Sequence, residues 1–205
     1  MARPLVSVIT PTWQRHDDLL GLVSNLAQQT YRPLEHVVVS DGPDPEVADL
    51  LGHAATLTDV PITVVELGRN WSSVLPDSFC AAPLAVGQLV ARGEYQMFAS
   101  DDERFDPDHV ASLVDALEAE GADLAYSRVR MWWAGRPDHV WEIGTPTPQC
   151  GQITNALYRS DLLAKGLYPF GAGMTSDWAC VSMWLGRGAR PAFVDRATMT
   201  HRVDH

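Results

Sequence analysis

Short β-branched segments alternate with amphipathic segments of helical periodicity from Leu5 to Gly121 of this 205-residue chain. The run Leu5–Thr10 reads as a buried strand, and His36–Val39 as the next one. Between them, Asp17 is the expected cap of a helix. Apolar residues recur on one face of that helix, at Leu19, Leu22, Val23 and Leu26. A strand, a helix and a second strand in this order form a unit with parallel strands. The chain is therefore predicted to be an α/β protein with a mostly parallel sheet.

The same alternation continues along the chain. Further strands are predicted at Ile62–Val65 and Tyr95–Ala99, and helices at Glu46–Leu51 and Leu84–Val90. The next helix is expected to begin with Asp106 as its cap and Pro107 at its first position, and to end at Gly121. These residues predict a Rossmann-like nucleotide-binding half.

After Gly121 the alternation weakens. Strands are expected at Leu124–Trp133, Ile153–Tyr158 and Ala192–Thr198. A loop or short hairpin is expected at 135–151, and a helix at 176–187. A polar tail follows. We expect one domain over residues 1–205, with the nucleotide-binding half at 1–104 and a smaller mixed half at 105–205.

Composition argues against several classes of protein. The net charge of −11 disfavours binding to nucleic acid or to anionic membranes, both of which need a basic surface. The cysteines, Cys80, Cys150 and Cys180, form no C-x-x-C pair, which disfavours a disulfide scaffold or a zinc knuckle and favours a cytoplasmic setting. The apolar run Leu5–Ile9 is too short for a signal peptide, and no window reaches the ~20 apolar residues of a transmembrane helix. An oligomer remains possible.

Polar residues follow three of the predicted strands. Thr10-Pro11-Thr12, Ser40-Asp41 and Asp101-Asp102-Glu103 each stand where a strand ends. In an open parallel sheet these ends meet at one edge, and ligands bind there. The sequence therefore predicts a ligand site built from these three segments.

The run Asp101-Asp102-Glu103 places three acids side by side, and these repel one another unless they are solvated, capping or bound to metal. Mg²⁺ and Mn²⁺ prefer oxygen ligands and commonly share them with substrate phosphates, so a cation here would neutralise a diphosphate leaving group. From the residues alone, a solvated acidic turn explains the run equally well.

Three other candidates also have a structural interpretation. Asp41 suits either a ligand contact or a turn before Gly42. Asp177 suits either a general base or an acid stabilised by the N-terminus of its helix. For both, the pattern alone favours the structural role. His201 and His205 have the i, i+4 spacing of metal ligands in a helix, although a frayed terminus is the commoner state.

Most of the tryptophans lie in the second half of the chain. They suit the hydrophobic core, and some of them suit an apolar platform on which a sugar stacks; they are Trp132, Trp133, Trp141, Trp178 and Trp184.

Taken together, these segments resemble the GT-A-fold, family 2 glycosyltransferases. The resemblance is carried by Pro4–Arg15, Leu26–Tyr31, His36–Gly42, Ala91–Tyr95, Phe98–Asp102, Thr154–Leu162 and Ser176–Trp178. It spans nearly the whole chain, and the order and spacing of the segments make it specific.

The resemblance implies a role for each matching residue. Thr10, Pro11 and Thr12 would line the nucleotide pocket, and Asp41 would bind the nucleobase. Asp101 would contact ribose or phosphate, and Asp102 would coordinate the metal. Asp177 would be the catalytic base, and His201 a further metal ligand.

The implied reaction is an inverting transfer of one sugar from a nucleoside diphosphate sugar, expected to be UDP-linked, to an unknown acceptor hydroxyl, with Mn²⁺ or Mg²⁺ as cofactor. The Gln-x-x-Arg-Trp motif of processive synthases is absent, which favours single transfer. G-x-x-x-x-G-K-[ST] and G-x-S-x-G are also absent, which disfavours a P-loop NTPase and a serine hydrolase. A sugar-phosphate nucleotidyltransferase and a non-catalytic nucleotide-sugar-binding module are the alternative functions.

Overall fold

The structure, a computed structural model, describes residues 2–78, 80–133, 136–149, 156–167, 169 and 176–203, with the backbone alone for 136–139 and 176–177. In the first half the elements are β1 Val6–Thr12, α1 His16–Ala27, β2 Leu34–Ser40, α2 Pro45–Ala54, β3 Ile62–Glu66, α3 Trp71–Val74, α4 Ala81–Val90 and β4 Tyr95–Phe98. They continue with β5 Arg104–Phe105, α5 His109–Glu120, β6 Leu124–Trp133, β7 Arg136–Ile143, β8 Leu157–Arg159, α6 Ser176–Gly186 and β9 Pro191–Arg202. One-turn and two-turn 3₁₀ helices occupy Pro76–Ser78 and Ser160–Lys165.

The described strands form one sheet in the order β3-β2-β1-β4-β8-β6-β9-β5, with β7 paired to β6 beside this path. Strands β3, β2, β1 and β4 are parallel to one another. Strand β8 runs antiparallel to both β4 and β6, while β9 returns parallel to β6. The short strand β5 and strand β7 are antiparallel to their neighbours. This confirms the predicted α/β fold with a mostly parallel sheet.

The sheet is covered on both faces because its central strands are apolar on both sides. Strand β1 shows the alternation of strand geometry. Val8 packs in one cluster with Leu22 of α1 and residues of α5, whereas its neighbour Ile9 packs in a second cluster with Leu84 of α4 and Trp184 of α6. The predicted apolar face of α1 is buried as expected. The core therefore fixes both faces of β1 and leaves only its carboxyl end open.

Two helices begin elsewhere than the sequence predicts. Helix α1 starts at His16, so Asp17 lies in its first turn and is not its cap. Helix α5 starts at His109 with Asp108 at the capping position. Asp106 is not available as a cap because its carboxylate pairs with Arg130 of β6.

The predicted polar tail is also partly wrong. Strand β9 continues through Thr200 to Arg202, and His201 lies opposite Met131 of β6. Backbone pairing with β6 extends to Val203, whose N–H donates to the Trp132 carbonyl at 2.9 Å, so these polar residues belong to the sheet. A helical His201–His205 pair is therefore excluded by the strand at His201, while His205 lies outside the described residues.

The second half agrees with the prediction in part. Strand β6 has the predicted bounds, whereas 135–151, expected to be a loop or a short hairpin, contains the strand β7, which pairs with β6. Of the strand expected at Ile153–Tyr158, the described part is β8, at Leu157–Arg159.

Within the described residues, no helix has both the length and the apolar character needed to cross a bilayer. Cys80 and Cys180 are in the thiol form, and Cys150 lies outside the described residues.

Two histidines are buried in the core. The ring of His36 lies with Nε2 2.9 Å from the Thr10 hydroxyl, and that of His109 with Nδ1 2.6 Å from the Thr198 hydroxyl. Burial lowers the pKa of each imidazole from 6.5 to about 3, because the charged form is deprived of solvent. Both rings are therefore neutral in the folded protein at any pH near neutrality.

These pKa values predict that the protein loses stability in mild acid. Between pH 6.5 and about pH 3 the unfolded chain binds protons on His36 and His109 that the folded chain does not. The free energy of unfolding therefore falls as pH falls, by roughly 2 kcal/mol per histidine at about pH 5. Urea unfolding at about pH 7 and pH 5 measures this difference. The loss of unfolding free energy between the two pH values is expected to be smaller in His36→Asn. It should be unchanged in His53→Asn, which alters an exposed histidine. An equal loss in all three proteins would contradict the assignment.

Candidate functional site

A cavity of about 430 Å³ opens at the carboxyl ends of β1, β2 and β4. Its wall includes the predicted site residues Pro11, Thr12, Asp41, Asp101, Asp102 and His201. The chain also contributes residues for which no role was predicted, among them Trp13, Arg15, Asn70, Ser72 and Ser100. The three polar strand ends are thus brought to one edge of the sheet, as the topology requires.

Asp101 ties the turn after β4 to the end of β1. The Thr12 hydroxyl donates a hydrogen bond of 2.9 Å to Asp101 Oδ2, and both residues are buried. Burial raises the pKa of the Asp101 carboxyl to about 6, against the opposing effects of the Arg15 charge and the Thr12 hydrogen bond. Asp101 thus lines the cavity while its carboxyl is tied to the end of β1.

Arg15 supplies the positive charge that the acidic turn needs. Its guanidinium donates to Asp102 Oδ2 at 3.0 Å and lies 3.4 Å from Asp101 Oδ1. The same group donates to Asp18 Oδ2 at 2.8 Å, which anchors it to the first turn of α1. Asp101 and Asp102 are only 4% and 6% exposed. The interpretation of this run as a solvated acidic turn is therefore wrong.

Glu103 joins the same turn to β9. One carboxylate oxygen accepts a hydrogen bond of 2.9 Å from the Ser100 backbone N–H, and the other lies 3.0 Å from His201 Nδ1. Glu103 is 1% exposed, whereas His201 lines the cavity. Because a carboxylate only accepts, the proton of the His201–Glu103 hydrogen bond resides on Nδ1.

Asp41 has a clear structural role. Its two carboxylate oxygens accept hydrogen bonds of 2.9 Å each from the backbone N–H groups of Trp71 and Ser72, at the start of α3. Its own N–H donates to the Thr12 carbonyl at 2.8 Å. Asp41 thus holds the segment that forms one wall of the cavity against the end of β1. Contact with a nucleobase stays a prediction for this residue.

The turn after Asp41 requires glycine. Gly42 has φ +136°, and a Cβ there would lie 2.7 Å from Cζ3 of Trp13 and 2.8 Å from the Asn70 nitrogen. L-residues rarely adopt this φ. The absence of a side chain therefore lets the Trp13 ring pack directly against the β2 turn.

Two predicted residues do not contribute a described side chain to the cavity. Thr10 is fully buried and its hydroxyl lies against His36, so it supports the sheet behind the cavity. Asp177 lies in the first turn of α6, as predicted for its backbone, but its side chain is outside the described part of the structure.

Sequence reasoning missed Arg15 and Glu103. Both belonged to segments that were noticed, the loop after β1 and the acidic run, yet neither position is distinctive by type. A buried run of acids requires a nearby cation, and that requirement was the available signal for Arg15.

With this geometry in place, comparison with known proteins is decisive. The model of the family described as Glycosyl transferase family 2 matches residues 7–136. The chain belongs to glycosyl transferase family 2. The matched residues contain the strands and turns that form the cavity, apart from His201.

Two relatives match this family 2 protein over different shares of its length. It is 29% identical over 122 residues to the uncharacterized glycosyltransferase YwdF of Bacillus subtilis, a match that covers 60% of this chain and 41% of YwdF. It is 23% identical over 223 residues to the glucosyl-dolichyl phosphate glucuronosyltransferase of Haloferax volcanii, covering 97% of this chain and 68% of that one.

Solved structures confirm the GT-A fold. The mannosyltransferase PcManGT from Pyrobaculum calidifontis, determined with GDP-Man and Mn²⁺, matches 100% of this chain with a TM-score of 0.77 at 21% identity. TarS residues 1–349 from S. aureus, determined with UDP, match 97% with a TM-score of 0.71 at 18% identity. This chain spans 58% and 60% of those two chains, respectively.

The contacts of Asp41 predict a local effect of its substitution. Asp41→Asn leaves one oxygen for the two N–H groups of Trp71 and Ser72, so the free energy that holds this loop falls by about 1–3 kcal/mol. Amide hydrogen exchange at residues 71 and 72 is expected to accelerate. Asp77→Asn, which changes an exposed acid in the same segment, serves as the control and should leave both amides protected. Unchanged exchange in Asp41→Asn would show that the cap is dispensable.

Proposed function

We propose that this family 2 protein is a glycosyltransferase that moves a single sugar from a nucleoside diphosphate sugar to an acceptor hydroxyl with inversion. The observation that carries the proposal is the buried acidic turn after β4, held by Arg15 and Thr12 and facing a cavity at the carboxyl ends of parallel strands. The family match and the nucleotide-bound neighbours support it.

The proposed donor is a UDP-linked sugar. A cavity of about 430 Å³ falls within the usual size range of small-molecule sites. Among the structural neighbours, TarS is found with UDP and PcManGT with GDP-Man, so both bases belong in the test. Thr12, Asp41 and Asp101 are the residues that we assign to the nucleotide.

The residues present fit a divalent cation. Asp102 offers a carboxylate at the cavity, and His201 offers an imidazole whose Nδ1 is held by Glu103. A carboxylate on one ring nitrogen commonly orients histidine for metal binding through the other. The described residues contain no group of three or more histidine, cysteine or acidic side chains placed to hold a metal, so substrate phosphates and water would complete the coordination. A cation there would neutralise charge on the leaving diphosphate.

The protein's own contribution to the transfer is proton removal and orientation. In the proposed mechanism Asp177 accepts the proton of the acceptor hydroxyl. The acceptor oxygen then forms a bond to the anomeric carbon on the face opposite the diphosphate, and the bond from that carbon to the diphosphate oxygen breaks. The backbone of Asp177 lies in the first turn of α6.

The donor and cation assignments predict a specific pattern of thermal stabilisation. UDP is expected to raise the melting temperature, and Mn²⁺ to enlarge that shift because Asp102 shares the cation with the diphosphate. Asp102→Asn should abolish the enlargement. Glu103→Gln should weaken Mn²⁺ binding about 10- to 100-fold, measured by electron paramagnetic resonance with UDP present. Asp49→Asn, which alters an exposed acid on α2, is the matched control.

The outcomes of this screen separate the alternatives. A shift with GDP alone would replace the UDP assignment and keep the proposed activity. No shift with any nucleoside diphosphate would overturn the proposal. Release of pyrophosphate from UTP and a sugar phosphate would indicate a nucleotidyltransferase. Nucleotide binding without any turnover of a donor would indicate a binding module.

The role of Asp177 predicts a defect in turnover and not in donor binding. Asp177→Asn removes the proton acceptor, so transfer is expected to slow by about 10²- to 10⁴-fold while UDP affinity is unchanged. Release of UDP from a UDP-sugar in the presence of acceptor measures the first quantity, and calorimetry measures the second. Near-normal transfer by Asp177→Asn would remove this residue from the mechanism.

A further inference from the structure

The hairpin of β6 and β7 carries a pair of tryptophans at the surface. The rings of Trp133 and Trp141 lie with their centroids 4.3 Å apart and their planes tilted by 45°. Trp141 is 48% exposed, and Trp133 is partly exposed. In the same half of the chain Trp184 is fully buried in the core. The pair, called here the indole surface, therefore presents about half of the Trp141 side chain to solvent.

The register of the sheet places the indole surface beside the cavity. Trp141 lies opposite Met131 of β6, and Met131 lies opposite His201 of β9. Residues directly opposite in paired strands share one face of the sheet. Trp133 follows an irregularity in the β6–β7 pairing, and the contact of its ring with that of Trp141 places it on the same face. The indole surface and His201 are therefore on the same face. With neighbouring strands about 4.8 Å apart, the backbone of Trp141 is about 10 Å from that of His201.

The chemistry of the indole surface fits a pyranose ring. One face of a pyranose presents C–H groups, and the faces of aromatic rings carry the partial negative charge that attracts them. The polar edge of the sugar stays in water, so an exposed pair of rings is sufficient. The indole surface lies two strands from His201, which lines the cavity proposed to hold a sugar donor, so a second sugar bound there is close to the first.

Two other occupants fit less well. Tryptophan side chains bury about 150–250 Å² each, so the two rings offer at most about 500 Å², below the ~800 Å² per partner of a stable protein interface. The net charge of −11 opposes an anionic membrane.

We propose that Trp133 and Trp141 form the acceptor subsite and bind a pyranose ring of the acceptor, which makes the acceptor a glycoside. This inference rests on the proposed function, because an acceptor subsite has meaning only in a glycosyltransferase. It assigns the acceptor side to the β6–β7 hairpin and leaves the donor side to the turns after β1, β2 and β4.

Binding is tested directly with the methyl glycosides of glucose, galactose, mannose and N-acetylglucosamine. Saturation-transfer NMR on the wild-type protein with UDP present is expected to show contact through the C–H face of at least one glycoside. Trp133→Ala and Trp141→Ala should abolish that signal, and Trp141→Phe should retain it because the aromatic face remains. Val140→Ala is the matched control, since Val140 lies on the same hairpin, is 49% exposed and faces the opposite side of the sheet.

Kinetics test the same assignment with the best-bound methyl glycoside as acceptor. Trp141→Ala is expected to raise the acceptor KM at least about tenfold and to leave UDP affinity and acceptor-independent hydrolysis of the UDP-sugar unchanged, while Trp141→Phe stays close to wild type. An effect on UDP affinity equal to that on KM would overturn the subsite and indicate a structural role. Wild-type protein that binds and hydrolyses donor but contacts none of the glycosides would overturn the inference and leave the proposed function intact.

Two further outcomes distinguish the remaining possibilities. Glycoside contact at the indole surface in a protein that binds no nucleotide would overturn the proposed function and with it the acceptor role. A molecular mass by light scattering that falls from dimer to monomer in Trp141→Ala would overturn the inference in favour of self-association.

Discussion

The buried carboxylates after β4 are tolerated only because a guanidinium from the loop after β1 lies against them. Removing Asp101 and Asp102 from water costs several kcal/mol for each ion unless a charge and hydrogen bonds compensate. Arg15 and Thr12 supply both, and Gln14, with φ 55°, is the left-handed residue that turns the chain toward Arg15. The parallel pairing of β1 with β4 brings the two loops together. The acidic turn therefore depends on the strand order, which brings the two loops together, and on the left-handed turn at Gln14 next to Arg15.

A second link connects this arrangement to the later half of the chain. His201 reaches the cavity from β9, far along the sequence, and Glu103 meets it from the turn after β4. The pairing of β5 with β9 immediately follows Glu103 and fixes the two segments against each other. The cavity is thus lined by residues from early and late parts of the sequence, so cation binding, where we propose it, depends on correct folding of β9.

The features that were predictable from sequence are the local ones. The apolar spacing of α1 and the β-branched runs of β1 and β2 report their own periodicity, and strand ends followed by acids indicate the edge where a ligand binds. Strand β5, the extension of β9 to Arg202 and the role of Arg15 depend on partners far away in sequence, which a single sequence does not reveal. The start of α5 was missed for the same reason, since Arg130 takes the carboxylate of Asp106. Asp41 is a similar case, because the sequence favoured a turn within its own segment, whereas its carboxylate accepts from the distant backbone N–H groups of Trp71 and Ser72.

The division of the sheet separates the two sides of the site that we propose. The turns that we assign to the donor follow parallel strands and are buried and cross-linked, so substitutions there disturb both the fold and the cavity. The β6–β7 hairpin is antiparallel, pairs through one strand and presents Trp141 to solvent. Its exposed face can change without disturbing the acidic turn, because Met131 stands between Trp141 and His201 and packs against the core. Under the proposed assignment, substitutions on the hairpin would therefore alter acceptor binding without altering the donor side.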